Sequence, residues 1–326
     1  MSSFWQRLGM ASPEFLRSKG IVGMNRRNVQ LIARNNPRHL YPNVDNKYKT
    51  KLLCAEHGIA VPKLLGVCRV EGHVAELKEF LRGRSQFVLK PAQGSGGKGI
   101  MVIVDRDGDD YVKASGKKVT HDELCRHVSN TLSGLFSLGG KPDVVLIEDL
   151  IHFSDHFEGY SYEGVPDIRV IVYKGFPVMS MTRLSTHVSD GKANLHQGAV
   201  GVGLHMATGK ALRAVQFDRP LTNHPDTGRL LSELSIPHWK EILLLAARGY
   251  EVSGLGYLGV DIVLDSHRGP MLLELNARPG LAIQVANGEG LLPRVRFVDS
   301  LPRGLAPADR VARVLNHWQA KMQENG

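Results

Sequence analysis

The sequence is poor in the features that mark secreted, membrane-spanning and nucleic-acid-binding proteins. Among its 326 residues are three cysteines, Cys54, Cys68 and Cys125, with neither CxxC spacing nor an even number for pairing. The N-terminus lacks the charged and then apolar pattern of a signal peptide. No apolar run approaches the roughly 18 residues that span a bilayer. These absences predict a reduced, cytoplasmic protein without a transmembrane segment.

The 32 acidic residues are outnumbered by 41 lysines and arginines, and the formal net charge is +9 at pH 7. Aromatic residues make up only 6% of the chain and do not interleave with basic ones as in a nucleic-acid-binding surface. We therefore expect anionic small substrates, including nucleotide phosphates, and no nucleic acid as partners. The basic excess is densest near the N-terminus, at Arg17, Lys19, Arg26, Arg27, Arg34 and Arg38.

Hydrophobic periodicity predicts helices and strands in irregular alternation. This order favours an α+β fold over a regular βαβ series. Residues 185–201 are predicted to be a mobile loop, and residues 1–45 a basic helical arm ahead of the main fold. The predicted strands are 86–91, 100–105, 144–147, 168–173 and 178–184. The predicted helices are 46–57, 74–81, 121–136, 238–252 and 307–322.

Two carboxylates face each other across a predicted hairpin over residues 259–276. With a centred four-residue turn, Asp261 lies opposite Glu274, and Asn276 lies opposite Gly259 on the same face. Like charges directly opposed destabilise a sheet, so two acids and an amide favour a hard cation such as magnesium. A solvated face with an incidental acidic pair is the alternative. The opposite face is predicted to enter the core: Val260, Ile262, Leu264, Met271, Leu273 and Leu275.

A glycine-rich segment follows the strand that ends with Lys90 and Pro91. Its glycines let backbone amides converge on phosphate oxygens, and Lys90 adds a positive charge. Because a strand and not a helix follows, neither a dinucleotide fingerprint nor a Walker A loop fits. Without H-R-D and D-F-G motifs a protein kinase does not fit either. A phosphate-binding loop and a purely structural turn stay open. The segment is Gln93, Gly94, Ser95, Gly96, Gly97, Lys98 and Gly99.

In chain order, Lys51 on an early helix, Lys90 with its loop, and the carboxylate–amide hairpin resemble the ATP-grasp ligases over residues 45–284. Within that superfamily the chain is most similar to the alpha-L-glutamate ligases that modify ribosomal protein. Residues 23–28, 36–38 and 41–51 look like the related alpha-L-glutamate ligase-like group, which overlaps with sugar-transfer-associated ATP-grasp proteins. The stretches that carry the glutamate ligase similarity are Asp167-Ile168-Arg169, residues 192–198, residues 259–262, Arg268-Gly269-Pro270 and residues 274–280.

The resemblance implies two α+β lobes that clamp ATP between them. It divides the chain into the arm 1–45, a first lobe 46–150, a second lobe 151–300 and a C-terminal amphipathic helix 301–326. Lys51 and Lys90 would contact the nucleotide phosphates, under a closing loop from Gln93 to Gly99. Glu148 would accept a hydrogen bond from the adenine amino group, beside the backbone of Asp149 and Leu150, and Asp155 would bind the ribose.

Metal and substrate roles follow from the same resemblance. Two Mg²⁺ ions, for which Mn²⁺ can substitute, would be held by Asp261, Glu274 and Asn276. The transferred phosphoryl group and the acyl phosphate would be stabilised by Arg169, Arg183 and Asn194. Two assignments stay open. Arg278 binds a substrate carboxylate or pairs with a neighbouring acid, and His196 orients substrate or is a solvated loop residue.

We therefore expect an ATP-dependent carboxylate–amine ligase that forms an amide through an acyl phosphate. Its substrates would be a small carboxylate, with glutamate favoured by resemblance alone, and an unidentified amine or peptide. One alternative is an ATP-grasp enzyme acting on a sugar-linked or cell-envelope acceptor. Another is a nucleotide-binding regulatory protein without turnover. The oligomeric state stays open, a homo-oligomer included, and the C-terminal helix could pack on the core or on a partner.

Overall fold

The computed structural model describes residues 5, 7, 10–94, 96–137 and 139–324. Ser95, one of the predicted loop residues, lies outside them. The strands are β1 Leu64–Cys68, β2 Phe87–Pro91, β3 Met101–Asp107, β4 Asp110–Lys113, β5 Lys118–Val119, β6 Val145–Glu148, β7 Asp167–Tyr173, β8 Phe176–Leu184, β9 Val200–Leu204, β10 Ala211–Gln216, β11 Arg219–Leu221, β12 Tyr257–Asp265 and β13 Gly269–Asn276.

Helices of unequal length flank these strands. Short 3-10 turns lie at Arg38–Leu40, Asp155–Phe157, Leu195–Gln197 and Leu231–Glu233, and a π-helix lies at Arg27–Ala33. The α-helices are α1 Pro13–Ser18, α2 Met24–Arg26, α3 Pro42–Asp45, α4 Lys47–Glu56, α5 Gly72–Ala75, α6 Leu77–Phe80, α7 His121–Leu132, α8 Trp239–Ser253, α9 Ala282–Asn287, α10 Leu292–Asp299 and α11 Pro307–Glu324.

The first lobe is a six-stranded antiparallel sheet in the order β1-β6-β2-β3-β4-β5. Helix α7 covers it and buries Leu124 and Val128 in a small core with Phe87. A capping box, in which Thr120 and Glu123 bond each other's backbone, starts this helix and satisfies its first amide groups. In the strand order, β2 has a hydrogen-bonded neighbour on each side, and it carries Lys90 near its C-terminal end.

The second lobe is a seven-stranded antiparallel sheet in the order β11-β10-β9-β8-β7-β12-β13. Its central strand β12 is buried along its whole length. Helix α8 packs on this sheet through residues such as Ile242 and Ala246. Two antiparallel sheets with helices confirm the predicted α+β class.

Described residues of both terminal segments pack into the core of the second lobe. Val22, Leu31 and Val44 are buried in the larger core together with strands of the second sheet. The C-terminal helix buries Val314 and Trp318 in the same core. The question that periodicity left open is thereby answered, since α11 packs on the core of its own chain.

Several strands lie where the sequence predicted none. Residues 64–68 form β1, and β9 begins at Val200, inside the stretch predicted to be a loop up to Gly201. The irregular region around Pro220 contains β10 and β11. Pro220 itself lies in β11 at the edge of the sheet, where a missing N–H interrupts no ladder. The single helix predicted at 74–81 is divided into α5 and α6.

Candidate nucleotide and metal site

Two buried lysines and a glutamate meet where the first lobe joins the second. Lys90 on β2 and Lys51 on α4 both pair with Glu148 at the end of β6, at 2.6 and 2.9 Å. Val88 on β2 lies opposite Glu148 on the neighbouring strand β6, so the register of these two strands brings Lys90 beside Glu148. The sequence grouped all three residues at the nucleotide site, and the structure brings them together.

The lysine–glutamate cluster is almost dry, because each of its three side chains is less than 10% exposed. Burial lowers the pKa of the Lys51 ammonium below its ordinary value of 10.5, although the Glu148 carboxylate opposes that shift. Lys51 also donates to the Pro62 carbonyl. Each Glu148 carboxylate oxygen contacts one lysine ammonium group. In this conformation Glu148 therefore balances the charge of both lysines.

The carboxylate–amide hairpin has the predicted register at its site end. Asp261 lies opposite Glu274, and Gly259 lies opposite Asn276. Beyond Asp261 the register shifts by one residue, so that Ile262 pairs with Leu272. The extra residue, Leu273, is a β-bulge.

The bulge corrects two predictions about the hairpin. Asp265 pairs with Gly269, so the connecting turn has three residues and not four. On β13, Leu272 is buried in the core, whereas the predicted core residue Leu273 is only half-buried.

Arginines surround the buried Asp261 carboxylate. Arg169 on β7 donates from Nε to Oδ1 at 2.7 Å and from Nη2 to Oδ2 at 2.5 Å. Arg183 on β8 donates to the same Oδ2 at 3.0 Å, and its Nε donates to Asp167 Oδ1 at 2.7 Å. Burial by itself raises the pKa of Asp261, but the two guanidinium groups outweigh it and lower the pKa to about 2. Asp261 is therefore ionised and rigidly held.

The remaining proposed metal ligands adjoin this network. Asn276 donates from Nδ2 to Asp261 Oδ2 at 3.2 Å, so the two side chains reach the same point. Glu274 is a third exposed on its side chain and pairs with Lys47 Nζ at 3.1 Å. Within the described residues, no cluster of three or more histidine, cysteine, aspartate or glutamate side chains is arranged to bind a metal.

The donor chemistry of this set nevertheless fits magnesium. Two carboxylates and an amide oxygen are hard ligands, and a Mg²⁺ site takes only one or two carboxylates beside substrate phosphates and water. In this conformation Asp261 is paired with guanidinium groups and Glu274 with an ammonium group. A cation bound here would have to exchange with Lys47 at Glu274.

The glycine-rich segment is anchored through Gly94 and Gly99. Gly94 is buried, and its carbonyl accepts from Lys47 Nζ at 2.8 Å. At the other end, His127 donates from Nε2 to the Gly99 carbonyl at 3.0 Å. Gly96 and Gly97 have positive φ angles of 63° and 77°, which favour glycine. Residues 96–98, with Lys98, are exposed, as is Gln93.

The predicted hinge residues make contacts of their own. Asp149 donates its backbone N–H to the Lys63 carbonyl at 2.9 Å. Arg268 binds the Leu150 carbonyl at 3.0 Å and the Asp149 carboxylate at 3.4 Å. These backbone groups are thus used within the protein in this conformation.

Three predicted residues have contacts or surroundings other than the lysine–glutamate cluster. Asp155 is exposed and lines a different cavity, of about 360 Å³. The Asn194 side chain accepts from the backbone of His196 at 3.0 Å and caps a 3-10 turn. Arg278 pairs with Asp45 at 3.2 Å and stacks over the Tyr41 ring, which matches the alternative of a neighbouring acid.

Sequence reasoning missed two residues of the site. Lys47 links Glu274 to the Gly94 carbonyl, and it precedes Lys51 by four residues, so both lie on one face of α4. Asp167 holds Arg183 and precedes Arg169 by two residues, which puts both on one face of β7. The spacing to an already identified residue was a usable signal in both cases.

The chain belongs to the sugar-transfer associated ATP-grasp family, whose sequence model matches residues 26–300. This confirms the predicted superfamily and the ATP-grasp fold. A search of curated proteins found no match. Of the residues described here, none form a helix with the length and apolar character needed to cross a bilayer.

Solved structures with similarity to the chain include several ligases. ATP-grasp ligase PsnB complexed with minimal precursor is 14% identical, covers 86% of this chain and 62% of its own, and has a TM-score of 0.45. D-cycloserine synthetase DcsG is 16% identical; the match covers 95% of this chain and 81% of the DcsG chain, with a TM-score of 0.47. D-alanyl-alanine synthetase A from Vibrio cholerae is 13% identical, with 86% and 66% covered and a TM-score of 0.45. The chain thus spans about three fifths of the PsnB structure.

Proposed function

We propose that the protein is an ATP-dependent carboxylate–amine ligase. One observation carries the proposal. A single cavity between the lobes is lined by Lys47, Lys51, Lys90 and Glu274, and Glu274 lies directly opposite the arginine-bound Asp261. The lysines that we propose to bind phosphate therefore adjoin the side chains that we propose as metal ligands. Such an arrangement suits transfer of a phosphoryl group, where catalysis is mainly positioning and charge neutralisation.

The roles of the protein groups follow from their chemistry. Lys51 and Lys90 would bind the phosphates of ATP in place of their present partner, Glu148. Arg169 and Arg183, which are held rigidly by acids, would stabilise charge on the transferred group. Asp261, Glu274 and Asn276 would hold Mg²⁺, which supplies further neutralisation of phosphate charge when bound.

The proposed reaction has two steps. A carboxylate oxygen of the first substrate bonds to the γ-phosphorus, the bond from that phosphorus to its bridging oxygen breaks, and ADP leaves. An amine nitrogen then bonds to the acyl carbon, phosphate departs with the electron pair of the broken bond, and the amine loses a proton. The products are an amide, ADP and phosphate.

Nucleotide binding would have to open the cavity. The enclosed space between Lys47, Lys51, Lys90 and Glu274 measures about 10 Å³, far below the roughly 300 Å³ of small ligand sites. Lobe separation, together with release of the lysine–Glu148 pairs, would provide that room. Entry of the anionic phosphates would supply new partners for the freed lysines.

Glutamate is the carboxylate that we propose first, because the stretches around Asp167, Lys192 and Glu274 resemble alpha-L-glutamate ligases. The family description supports a second candidate, an acceptor that carries a sugar. Both candidates use the same phosphate chemistry; the first specifies the carboxylate and the second specifies the acceptor. A substrate screen can therefore address them together.

The test measures ADP, AMP and phosphate released from ATP and Mg²⁺ with glutamate and a panel of amino acids, amines and amino sugars. Glu274→Ala and Lys90→Met serve as site variants. Lys49→Met is the matched control, since Lys49 lies on the same helix as Lys51 but is exposed. We expect ADP and phosphate to rise with one carboxylate–amine pair, to vanish in both site variants and to be unchanged in the control.

Two results would contradict the proposal. AMP and pyrophosphate in place of ADP would mean adenylation and not an acyl phosphate. ATP binding that is abolished by Lys90→Met, but without product from any pair, would favour a nucleotide-binding regulatory protein.

A further inference from the structure

A second and much larger cavity lies at the far end of the second lobe. It encloses about 1180 Å³ between the N-terminal segment, the β7–β8 turn and the residues around α10 and α11. Tyr173 and Phe176 line it at the turn end of the β7–β8 hairpin, whereas Asp167 and Arg183 pair at the other end. At about 3.3 Å per residue, the two ends lie roughly 20 Å apart. This cavity, here named the arginine groove, is therefore separate from the nucleotide site.

Positive charge dominates the arginine groove. Both of its carboxylates are already paired, Asp299 with Lys174 at 2.5 Å and Glu251 with Arg310. Among the described residues, no carboxylate lies within ion-pair distance of the four other cations that line it. These are Arg26, Arg34, Arg296 and Arg303.

A buried arginine, Arg310, forms part of the wall of the groove. Arg310 lines the groove but is only 3% exposed, and its Nε has no hydrogen-bond partner among the described residues. A buried donor without an acceptor costs free energy. The Arg310 guanidinium packs closely against the β7–β8 turn at Gly175. A Cβ at this position would overlap the guanidinium, and Gly175 also has φ +81°, which favours glycine.

The four unpaired cations are all arginines, and this determines the chemistry that they suit. A guanidinium group presents a planar fork of donors that matches phosphate oxygens in a bidentate way. The half-buried Tyr250 and the buried Tyr173 supply apolar wall beside these charges. The volume exceeds the roughly 300–1,000 Å³ of common small-molecule sites, so a ligand of nucleotide size fits.

We propose that the arginine groove is a second ligand site that binds a small molecule with two or more phosphate groups. The proposal does not depend on the ligase activity. It predicts phosphate binding to this groove even when the nucleotide site is disabled.

The experiment titrates inorganic tripolyphosphate into the full chain by calorimetry at about 150 mM salt, where long-range surface attraction is screened. The groove variant is Arg296→Gln with Arg303→Gln. The matched control is Arg126→Gln with Arg219→Gln, which removes the same charge from exposed positions outside both cavities. Lys90→Met disables the nucleotide site. The four substituted arginines are all exposed, so both double variants should fold. Circular dichroism checks this.

Both double variants are made in the Lys90→Met background, where the nucleotide site no longer contributes. We expect Lys90→Met to retain one binding site and the groove variant to bind tripolyphosphate at least tenfold more weakly than Lys90→Met. The control should change by less than twofold. Equal weakening in both double variants would show attraction to net charge alone. Loss of all binding in Lys90→Met would place it in the nucleotide site. Either result, or tight binding by the groove variant, overturns the proposal without bearing on the ligase reaction.

Discussion

At the scale of single residues, the Asp261 carboxylate is the centre of charge balance in the candidate site. It is 2% exposed and bonded to two arginines and an asparagine. Taking a carboxylate out of water is costly, and here the surrounding donors offset that cost. The arginines depend on Asp261 in turn, because they are largely buried themselves.

Replacing Asp261 with asparagine should therefore destabilise the protein strongly at neutral pH. Breaking a buried ion pair by removing one partner costs about 3–5 kcal/mol, because the remaining charge is left uncompensated. Urea unfolding of the wild type and Asp261→Asn at pH 7 measures this difference.

The same pair of proteins should show a defined pH dependence. The folded-state pKa of Asp261 is lowered to about 2 from an ordinary value of 3.8. Its ionised form therefore stabilises the fold above pH 3.8, and this contribution is lost as the pH falls toward 2. We expect the difference in unfolding free energy between the wild type and Asp261→Asn to become smaller as the pH falls from 3.8 toward 2. The exposed Asp155→Asn should show little difference at any pH, and a gap that stays constant for Asp261→Asn would refute the charge argument.

At the scale of elements, the bulge in β13 decides which leucine enters the core. The extra residue at Leu273 turns the strand so that Leu272 faces the core, while Glu274 keeps its place opposite Asp261. A three-residue turn from Asp265 to Gly269 makes the shift possible. The one-residue bulge thereby changes which leucine packs in the core and leaves the pairing of Asp261 with Glu274 unchanged.

The bulge predicts unequal costs for two neighbouring truncations. Leu272→Ala removes a side chain that is 1% exposed and should cost about 2–5 kcal/mol, whereas the half-buried Leu273 should cost about 1 kcal/mol. Urea unfolding of the two variants provides the comparison. If Leu273→Ala were the more destabilising of the two, the regular register would be correct and the bulge wrong.

At the scale of the whole molecule, the two lobes differ in the size of their cores. The second sheet is packed against α8, α11 and the N-terminal segment, whereas the first is covered mainly by α7. Since apolar burial is the main stabilising term, the first lobe should open more easily. An easily opened first lobe would suit a nucleotide cavity that has to widen.

Native-state hydrogen exchange should show this difference directly. We expect amides of β2 and β6 to exchange with a smaller opening free energy than those of β7 and β12. Leu124→Ala, in the core of the first lobe, should lower the values for β2 and β6 and leave those of β7 and β12 unchanged. A uniform decrease in all four strands would mean that the lobes unfold as one cooperative unit.

Local pattern was enough for much of the fold. The strands β2, β6, β7 and β8 and the helices α8 and α11 have strong apolar periodicity, and their boundaries lie within a few residues of the prediction. The strand β9 was missed because Gly201 and Gly203 resemble loop residues. Its glycines instead allow close packing, since a Cβ at Gly203 would overlap the backbone of Ala286 in α9.

By itself, the sequence determined the ATP-grasp family and the opposition of Asp261 and Glu274, because both depend on residues near one another or in fixed order. Only the tertiary structure showed that Glu148 pairs with both Lys51 and Lys90, and that Lys47 contacts Glu274. These partners are far apart in the chain. Folding brings their charges together, and periodicity carries no information about which distant side chains meet.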